Sequence, residues 1–315
     1  MGVVNSNLKI AVLTGGIGAE RDISLQSGQC VSQALKSAGF NVITADIQPD
    51  NLDILEDSTI DVFFPALHGE FGEDGRLQQI LKDKSLVYTG SGPTASKLAF
   101  DKIASKKLFS KAAVTTPEAV EFNTESDISQ IEKRLKYFKD GYVIKPINKG
   151  SSVGVNIVTD LQQALSTARQ ILDEFGDCMI EQFIPGREIT VGILKESTLP
   201  IIEIRSQTGF YDYQAKYIDE QTEYLFDTIK DTDLIAKIEQ YAMDCFCALG
   251  CRHFARVDFI LSEQEIPYVL EINTIPGFTT HSLLPKAAAK ADLTMSDLCS
   301  KIVEAAYSSL IRHQA

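Results

Sequence analysis

Three things are missing from this sequence, and each absence removes a class of function. Basic residues are not in excess: 30 Lys and Arg stand against 43 Asp and Glu, a net charge of −13. Such a chain is poorly suited to neutralising a phosphate backbone, so nucleic acid is not an expected partner. No stretch approaches the ~18 apolar residues of a membrane span, and no secretory signal is legible, so a cytoplasmic protein without a membrane role is expected. The opening Met1-Gly2-Val3-Val4-Asn5-Ser6 fits a myristoylation pattern, but one this short reads better as a leader. Walker A spacing is absent throughout, and the Gly-rich loop Gly15-Gly16-Ile17-Gly18 lacks the GxGxxG spacing of dinucleotide folds. The six cysteines, at 30, 178, 245, 247, 251 and 299, form no disulfide framework, which suits a reducing compartment. Cys245, Cys247 and Cys251 lie close together at the end of a helical stretch closed by Gly250 and are read as core packing rather than zinc ligands. No internal repeat or low-complexity segment is present.

What is there is an ordinary globular composition, 44% hydrophobic and 23% charged, over 315 residues, enough for two or three domains. Residues 8 to about 90 alternate strand and helix. Ile10–Leu13, Val42–Ala45 and Asp61–Leu67 read as strands, and a helix is expected from Ser27 to Ala38, so this unit is a small parallel α/β domain. A helical stretch from Thr94 to Ala112 leads into a second unit. It contains the strand Tyr142–Pro146, the loop Asn148–Gly154, a strand over Val155–Val158, a helix over Leu161–Phe175 and a strand over Met179–Ile184. Pro185-Gly186 is a natural hinge. Antiparallel strands and helices of α+β character follow. The expected domains are 1–100, 101–186 and 187–315.

The chemistry concentrates in two strands. Arg256-Val257-Asp258-Phe259 and Leu270-Glu271-Ile272-Asn273 alternate polar and apolar residues, so each puts its polar pair on one side. Paired as a hairpin, they bring two carboxylates and an amide oxygen beside a guanidinium, a hard oxygen site for Mg²⁺ with a cation ready for phosphate. A solvated hairpin face would show the same pattern. The Gly- and hydroxyl-rich loop Thr274–Ser282, leaving directly from the second strand, favours the site. The Gly/Ser loop at 148–154 can wrap phosphate oxygens with backbone N–H groups, with Lys145 supplying charge. The segment Gly209–Tyr217 is rich in Tyr with one Lys and suits a lid that excludes water.

Taken in order, these pieces resemble the D-alanine–D-alanine ligases of the ATP-grasp superfamily over about residues 8–310. The marks are GGIGAERDIS, HGEFGEDG, VIKPINKGSSVGV, EQFIPGREITV, FYDYQAKY, FARVDFIL and LEINTIPGFTTHSLLP. The resemblance implies an N-terminal parallel α/β (preATP-grasp) domain followed by a two-subdomain ATP-grasp fold. It implies ATP-dependent ligation of two D-alanines through an acyl phosphate, for peptidoglycan synthesis, with ATP and two Mg²⁺ (Mn²⁺ an alternative) and a homodimer. Residue by residue, it implies that Lys102, Lys145, Glu181, Ile184 through its backbone, and Glu188 hold the nucleotide. Lys216 would contact the transferred phosphate. Asp258, Glu271 and Asn273 would bind the metals, and Arg256 with the Gly277 N–H would form the oxyanion hole. Glu20 would take the ammonium of the first D-alanine with His68 nearby, and Ser282 and Leu283 the carboxylate of the second. Glu20, Ser151 and Tyr217 would be linked by hydrogen bonds. Gln182 stands where many members have Lys, which puts a side-chain contact to adenine in doubt, and Phe183 replaces a commoner Trp. The alternatives are a D-alanine–D-lactate ligase, against which Tyr217 argues, another ATP-grasp carboxylate–amine ligase, and a nucleotide-binding module without catalysis.

Overall fold

A computed structural model describes residues 8–206 and 222–314, arranged around three sheets among the described residues. In the first, β1 (Lys9–Gly15) lies between β2 (Asn41–Ile47) and β3 (Val62–Pro65), and both pairings are parallel. The run Ile10–Leu13 is fully buried because helices and loops cover the central strand on both faces. Val31 and Leu35 of α1 (Arg21–Ser37) share one core with Ile10 and Val12, while Leu77 and Leu81 of α2 (Arg76–Asp83) share another with Ala11 and Leu13. The helix α1 begins at Arg21, ahead of the expected Ser27. After Ile23, its inward positions are the buried Ser24 and Ser27, whose small polar side chains obscure the apolar period.

The expected single helix over Thr94–Ala112 is two helices, α3 (Pro93–Phe100) and α4 (Lys102–Lys111). The break falls at Asp101, which adopts an extended backbone and caps α4 by accepting the Ala104 N–H at 2.9 Å. The cap makes Lys102 the first residue of α4 and puts Lys102 and Lys106 one turn apart, both buried. Asp101→Ala is expected to lower stability by about 1 kcal/mol; a chemical-denaturation midpoint equal to the wild type's would remove the cap from this account.

The second sheet has the order β4-β7-β5-β6, formed by β4 (Ala119–Phe122), β5 (Tyr142–Pro146), β6 (Asn156–Val158) and β7 (Cys178–Gln182), all antiparallel. Helices α5 (Ile128–Leu135) and α6 (Leu161–Phe175) cover one face, where Ile131, Leu135, Ile144, Leu165 and Ile180 form the core. Val143, Lys145 and Glu181 point to the other face.

The third sheet is antiparallel with the order β11-β10-β8-β12-β13. Its strands are β8 (Gly186–Leu194), β9 (Ser197–Thr198, paired to β8 off the main path), β10 (Ile202–Arg205), β11 (Glu223–Leu225), β12 (Phe254–Ser262) and β13 (Pro267–Asn273). The helix α7 (Thr232–Leu249) is capped by Asp231 and ended by Gly250 at a φ of +71°. Its Leu234, Ile238, Ala242 and Cys245 pack on Val191, Val257 and Phe259, and on Ala99 and Phe109 from α3 and α4. Cys245 and Cys251 are buried there, whereas Cys247 is exposed. Helices α8 (Leu283–Lys290) and α9 (Met295–Gln314) return to the first sheet, where Leu298 and Ile302 share the core of α1 and β1. The first sheet and the third are therefore joined by a common apolar core, and no helix among the described residues is long and apolar enough to cross a membrane.

Candidate active site

The β12–β13 register sets Arg256 opposite Asn273 and Asp258 opposite Glu271, so the four polar groups share one face as the alternation predicts. The register then slips: Phe259 pairs with Val269, leaving Leu270 as the extra residue of a β-bulge. The expected alternation fails at that one residue. Val269 and Ile272 are buried, whereas Leu270 and Glu271 both line the cavity.

Asp258 accepts four hydrogen bonds on this face. Its Oδ1 accepts from Thr190 Oγ1 at 2.6 Å and from Arg256 Nε at 2.8 Å. Its Oδ2 accepts from Arg256 Nη2 at 2.8 Å and from Asn273 Nδ2 at 2.9 Å. The guanidinium thus grips the carboxylate with two parallel bonds, a geometry only Arg supplies. Glu271 stands 3.3 Å from Lys102 Nζ, which also donates to the Lys149 carbonyl at 2.5 Å. Two carboxylates, an amide and two fixed cations converge on one spot. That donor set fits hard divalent ions completed by phosphate oxygens. Among the described residues, no group of three or more His, Cys, Asp or Glu side chains forms a metal cage by itself.

Two cavities meet at Glu271. The larger, of about 480 Å³, lies between the second and third sheets and has the size of a small-molecule site. Lys102, Lys145, Glu181 and Asp258 line one part of it, and Ile184, Glu188, Ile260 and Leu270 give it apolar and acidic walls elsewhere. Glu181 is 2% exposed and carries two ion pairs, Lys145 at 2.7 Å and Lys106 at 2.5 Å. Burial alone would raise its carboxyl, but the two lysine charges outweigh that and hold it below the usual range.

The smaller cavity, of about 50 Å³, is lined by Glu20, His68, Ser151, Arg256, Asn273, Gly277, Ser282 and Leu283, and it shares Glu271 and Gly150 with the larger. Glu20 sits at the N-cap position of α1 but makes no cap with its side chain; it accepts a hydrogen bond from the Ser151 hydroxyl instead. Ser151 holds a left-handed φ of +50°, uncommon for a residue with a Cβ and characteristic of functional loops. Lys149 pairs with Glu70, a second tie between this loop and the segments flanking the first sheet. Gly69 reaches so close to Glu20 that a Cβ there would lie 2.1 Å from its Oε2.

The loop after β13 is fixed from three sides. Phe278 is fully buried, its ring 5.5 Å from that of Phe64 and 5.6 Å from that of Phe254. Its N–H donates to Ser27 Oγ at 3.2 Å. His68 Nδ1 donates to the Ile275 carbonyl at 3.0 Å, because a carbonyl only accepts, and Nε2 then accepts from Ser27 Oγ at 2.9 Å. Ser282 Oγ accepts the Thr279 N–H at 3.0 Å, and a Cβ at Gly277 would lie 2.5 Å from that oxygen, so a larger residue there would force Ser282 to shift.

All the expected site residues among the described ones lie on these two cavities; Lys216, Tyr217 and the expected lid lie outside the described residues. Several contributors were not legible in advance: Thr190 on Asp258, Lys106 on Glu181, Ser27 on the loop, and Leu270. Only Thr190 had a visible signal, a hydroxyl at an inward strand position two residues after Glu188.

Comparison with known proteins decides the family. A model described as D-ala D-ala ligase C-terminus matches residues 109–304, and one described as D-ala D-ala ligase N-terminus matches residues 51–91. The chain belongs to the D-alanine–D-alanine ligase family. A D-alanine–D-alanine ligase of Syntrophotalea carbinolica is 41% identical over 298 residues, covering 95% of this chain and 96% of that one. The crystal structure of a ligase of the same name from Bacillus anthracis superposes with a TM-score of 0.85 at 32% identity, covering 98% of this chain and all of that one. The Bacillus anthracis enzyme complexed with ATP gives a TM-score of 0.83 at 30% identity over 98% of this chain. The ligase fold has its parallel sheet at the N-terminus, as expected from the resemblance.

Proposed function

We propose that this protein joins two D-alanines into D-alanyl-D-alanine, with ATP converted to ADP and phosphate, for peptidoglycan synthesis in the cytoplasm. The observation that carries the reading is the meeting of two cavities at Glu271, one sized for a nucleotide and one walled by Glu20, Arg256 and Gly277. A carboxylate is a poor electrophile, and transfer of the γ-phosphoryl group makes one D-alanine an acyl phosphate. Lys102 and Lys145 supply charge to the phosphates, and Glu188 and the Ile184 backbone hold the nucleoside. Glu20 takes the ammonium of the first D-alanine. The amine of the second attacks the acyl carbon, phosphate leaves, and Arg256 with the Gly277 N–H receives the oxyanion. Ser282 and Leu283 take the second carboxylate. Asp258, Glu271 and Asn273 would hold Mg²⁺, with Mn²⁺ a substitute, and the metal's contribution is to neutralise phosphate charge. The homodimer is what the sequence resemblance implies.

ADP release measured with D-alanine, with D-alanine plus D-lactate, and without an acceptor tests this reading. Dipeptide as the main product is the expected result. Depsipeptide as the main product would move the protein to the D-alanine–D-lactate class, and ATP binding without ADP release under any of the three conditions would point to a nucleotide-binding module.

Thr190 supplies a further test. It orients Asp258 through its hydroxyl, so Thr190→Val should raise the Mg²⁺ concentration for half-maximal activity by roughly 10-fold or more. An unchanged Mg²⁺ titration would separate Thr190 from the metal site.

A further inference from the structure

Lys106 is 6% exposed and lies four residues after Lys102 on the inward face of α4. An ammonium has three N–H donors. Here it donates to Thr116 Oγ1 at 2.5 Å and to the Pro117 carbonyl at 3.0 Å, and it stands 2.5 Å from Glu181 Oε1 as an ion pair. The three belong to both sides of the larger cavity. Glu181 is on β7 of the second sheet. Thr116 donates to the Val269 carbonyl at 2.8 Å, one residue before the bulge that turns Leu270 and Glu271 into the cavity. The same Glu181 carboxylate holds Lys145 through its other oxygen at 2.7 Å.

That sharing has a consequence for Lys145, which rests on the reading that this cavity takes ATP. If Lys145 is to serve a phosphate, it must loosen its hold on Glu181, and a carboxylate 2% exposed cannot be left without a cation. We propose that Lys106 is a positioning residue of the nucleotide site: its ammonium keeps Glu181 paired from the α4 side, so that Lys145 can turn from Glu181 to a phosphate. Neither Glu181 nor Lys106 then needs to touch the reacting atoms.

The charge state of Lys106 makes the role testable. Burial lowers its ammonium to about 8, with the Lys145 charge adding to the effect and Glu181 and Glu271 opposing it. The charged groups facing it are Glu181 on β7, Lys145 on β5 and, farther off, Glu271 on β13. Above pH 8 the free enzyme therefore sheds this proton. Nucleotide binding, by drawing Lys145 away, makes Glu181 depend on a charged Lys106 and should take the proton back up. Stability moves the other way. Between pH 8 and the ordinary lysine range the unfolded chain holds more protons than the folded one, so the contribution of this group to stability rises with pH.

The experiment is calorimetric titration of the full chain with the imido analogue of ATP and Mg²⁺, at pH 7 and pH 8.5, in buffers of different ionisation enthalpy. Wild type should bind at both, more weakly at pH 8.5 and with proton uptake there. Lys106→Met, which keeps the length and loses the charge, should bind about tenfold more weakly at pH 7. Lys106→Arg, charged at both values, should bind without proton uptake at pH 8.5. Wild-type affinity in Lys106→Met, or proton uptake that persists in Lys106→Arg, overturns the proposal. Should Lys106→Met fail to fold, the absence of proton uptake in wild type at pH 8.5 overturns it alone. A wild type that does not bind the analogue at all defeats the nucleotide reading instead.

Discussion

Glu271→Gln should lower D-alanine-dependent ADP release by roughly 100- to 1,000-fold while the thermal transition stays close to that of the wild type. The substitution keeps the shape and removes one negative charge at the residue that belongs to both cavities. Its position explains the size of the effect. Glu271 is partly exposed and held by Lys102, which is buried but keeps a hydrogen-bond acceptor in the Lys149 carbonyl when the carboxylate charge is removed. What is lost is the charge that offsets cations around the phosphates, at the point where nucleotide and amino acid must meet. Steady-state rates at several Mg²⁺ concentrations, beside a melting curve, provide the check. Near-wild-type turnover at ordinary Mg²⁺ would withdraw Glu271 from the metal site, and a large fall in melting temperature would make the loss structural.

The same two strands show how far a sequence can be read. Arg256, Asp258, Glu271 and Asn273 were placed on one face by a period of two, which is a local property of the chain. The alternation puts Leu270 on the opposite face from the one it occupies, because a bulge is set by what the neighbouring strand and the Thr115–Thr116 segment hydrogen-bond, and the period carries no sign of it. The bounds of α6 were legible from its apolar spacing, whereas the start of α1 was concealed by Ser24 and Ser27. Those two serines are buried because His68 and Phe278, far away in the chain, give them hydrogen-bond partners. The break at Asp101 had a signal, since Asp is a strong N-cap residue, but the apolar period across it is continuous enough to suggest one helix.

Lys106 marks the limit more sharply. A lysine in a helix is usually solvated, and only the fold brings Glu181, Thr116 and Pro117 around this one. Motif resemblance names residues that touch ligands. It is silent on the residues behind them, whose partners are distributed over segments that need not share a motif. Thr190 on Asp258 and Ser27 on the loop are of the same kind. The preparation of this site is therefore less legible than its contacts, although both rest on the same hydrogen-bond rules.

Arg256→Lys separates contact from preparation at the reacting centre. Arg256 has two places in this structure: it lines the smaller cavity, and it grips both oxygens of Asp258. Lysine keeps the charge but cannot make the paired bonds or present a planar donor to an oxyanion. If donation to the tetrahedral oxyanion is the dominant task, kcat should fall by about 100-fold or more. Binding of the ATP analogue with Mg²⁺ should persist, because Asp258 retains Thr190 and Asn273 as partners. If the grip on Asp258 dominates, analogue binding and kcat should decline together, and raised Mg²⁺ should recover part of both. The two outcomes differ in one measurable ratio, the fall in kcat against the fall in analogue affinity. A ratio near one would leave the Gly277 N–H as the oxyanion donor and make Arg256 a positioning residue for Asp258. The expected ratio is far larger, since a guanidinium already fixed on a buried carboxylate is aimed before the charge develops, which is the condition under which such a donor lowers a barrier.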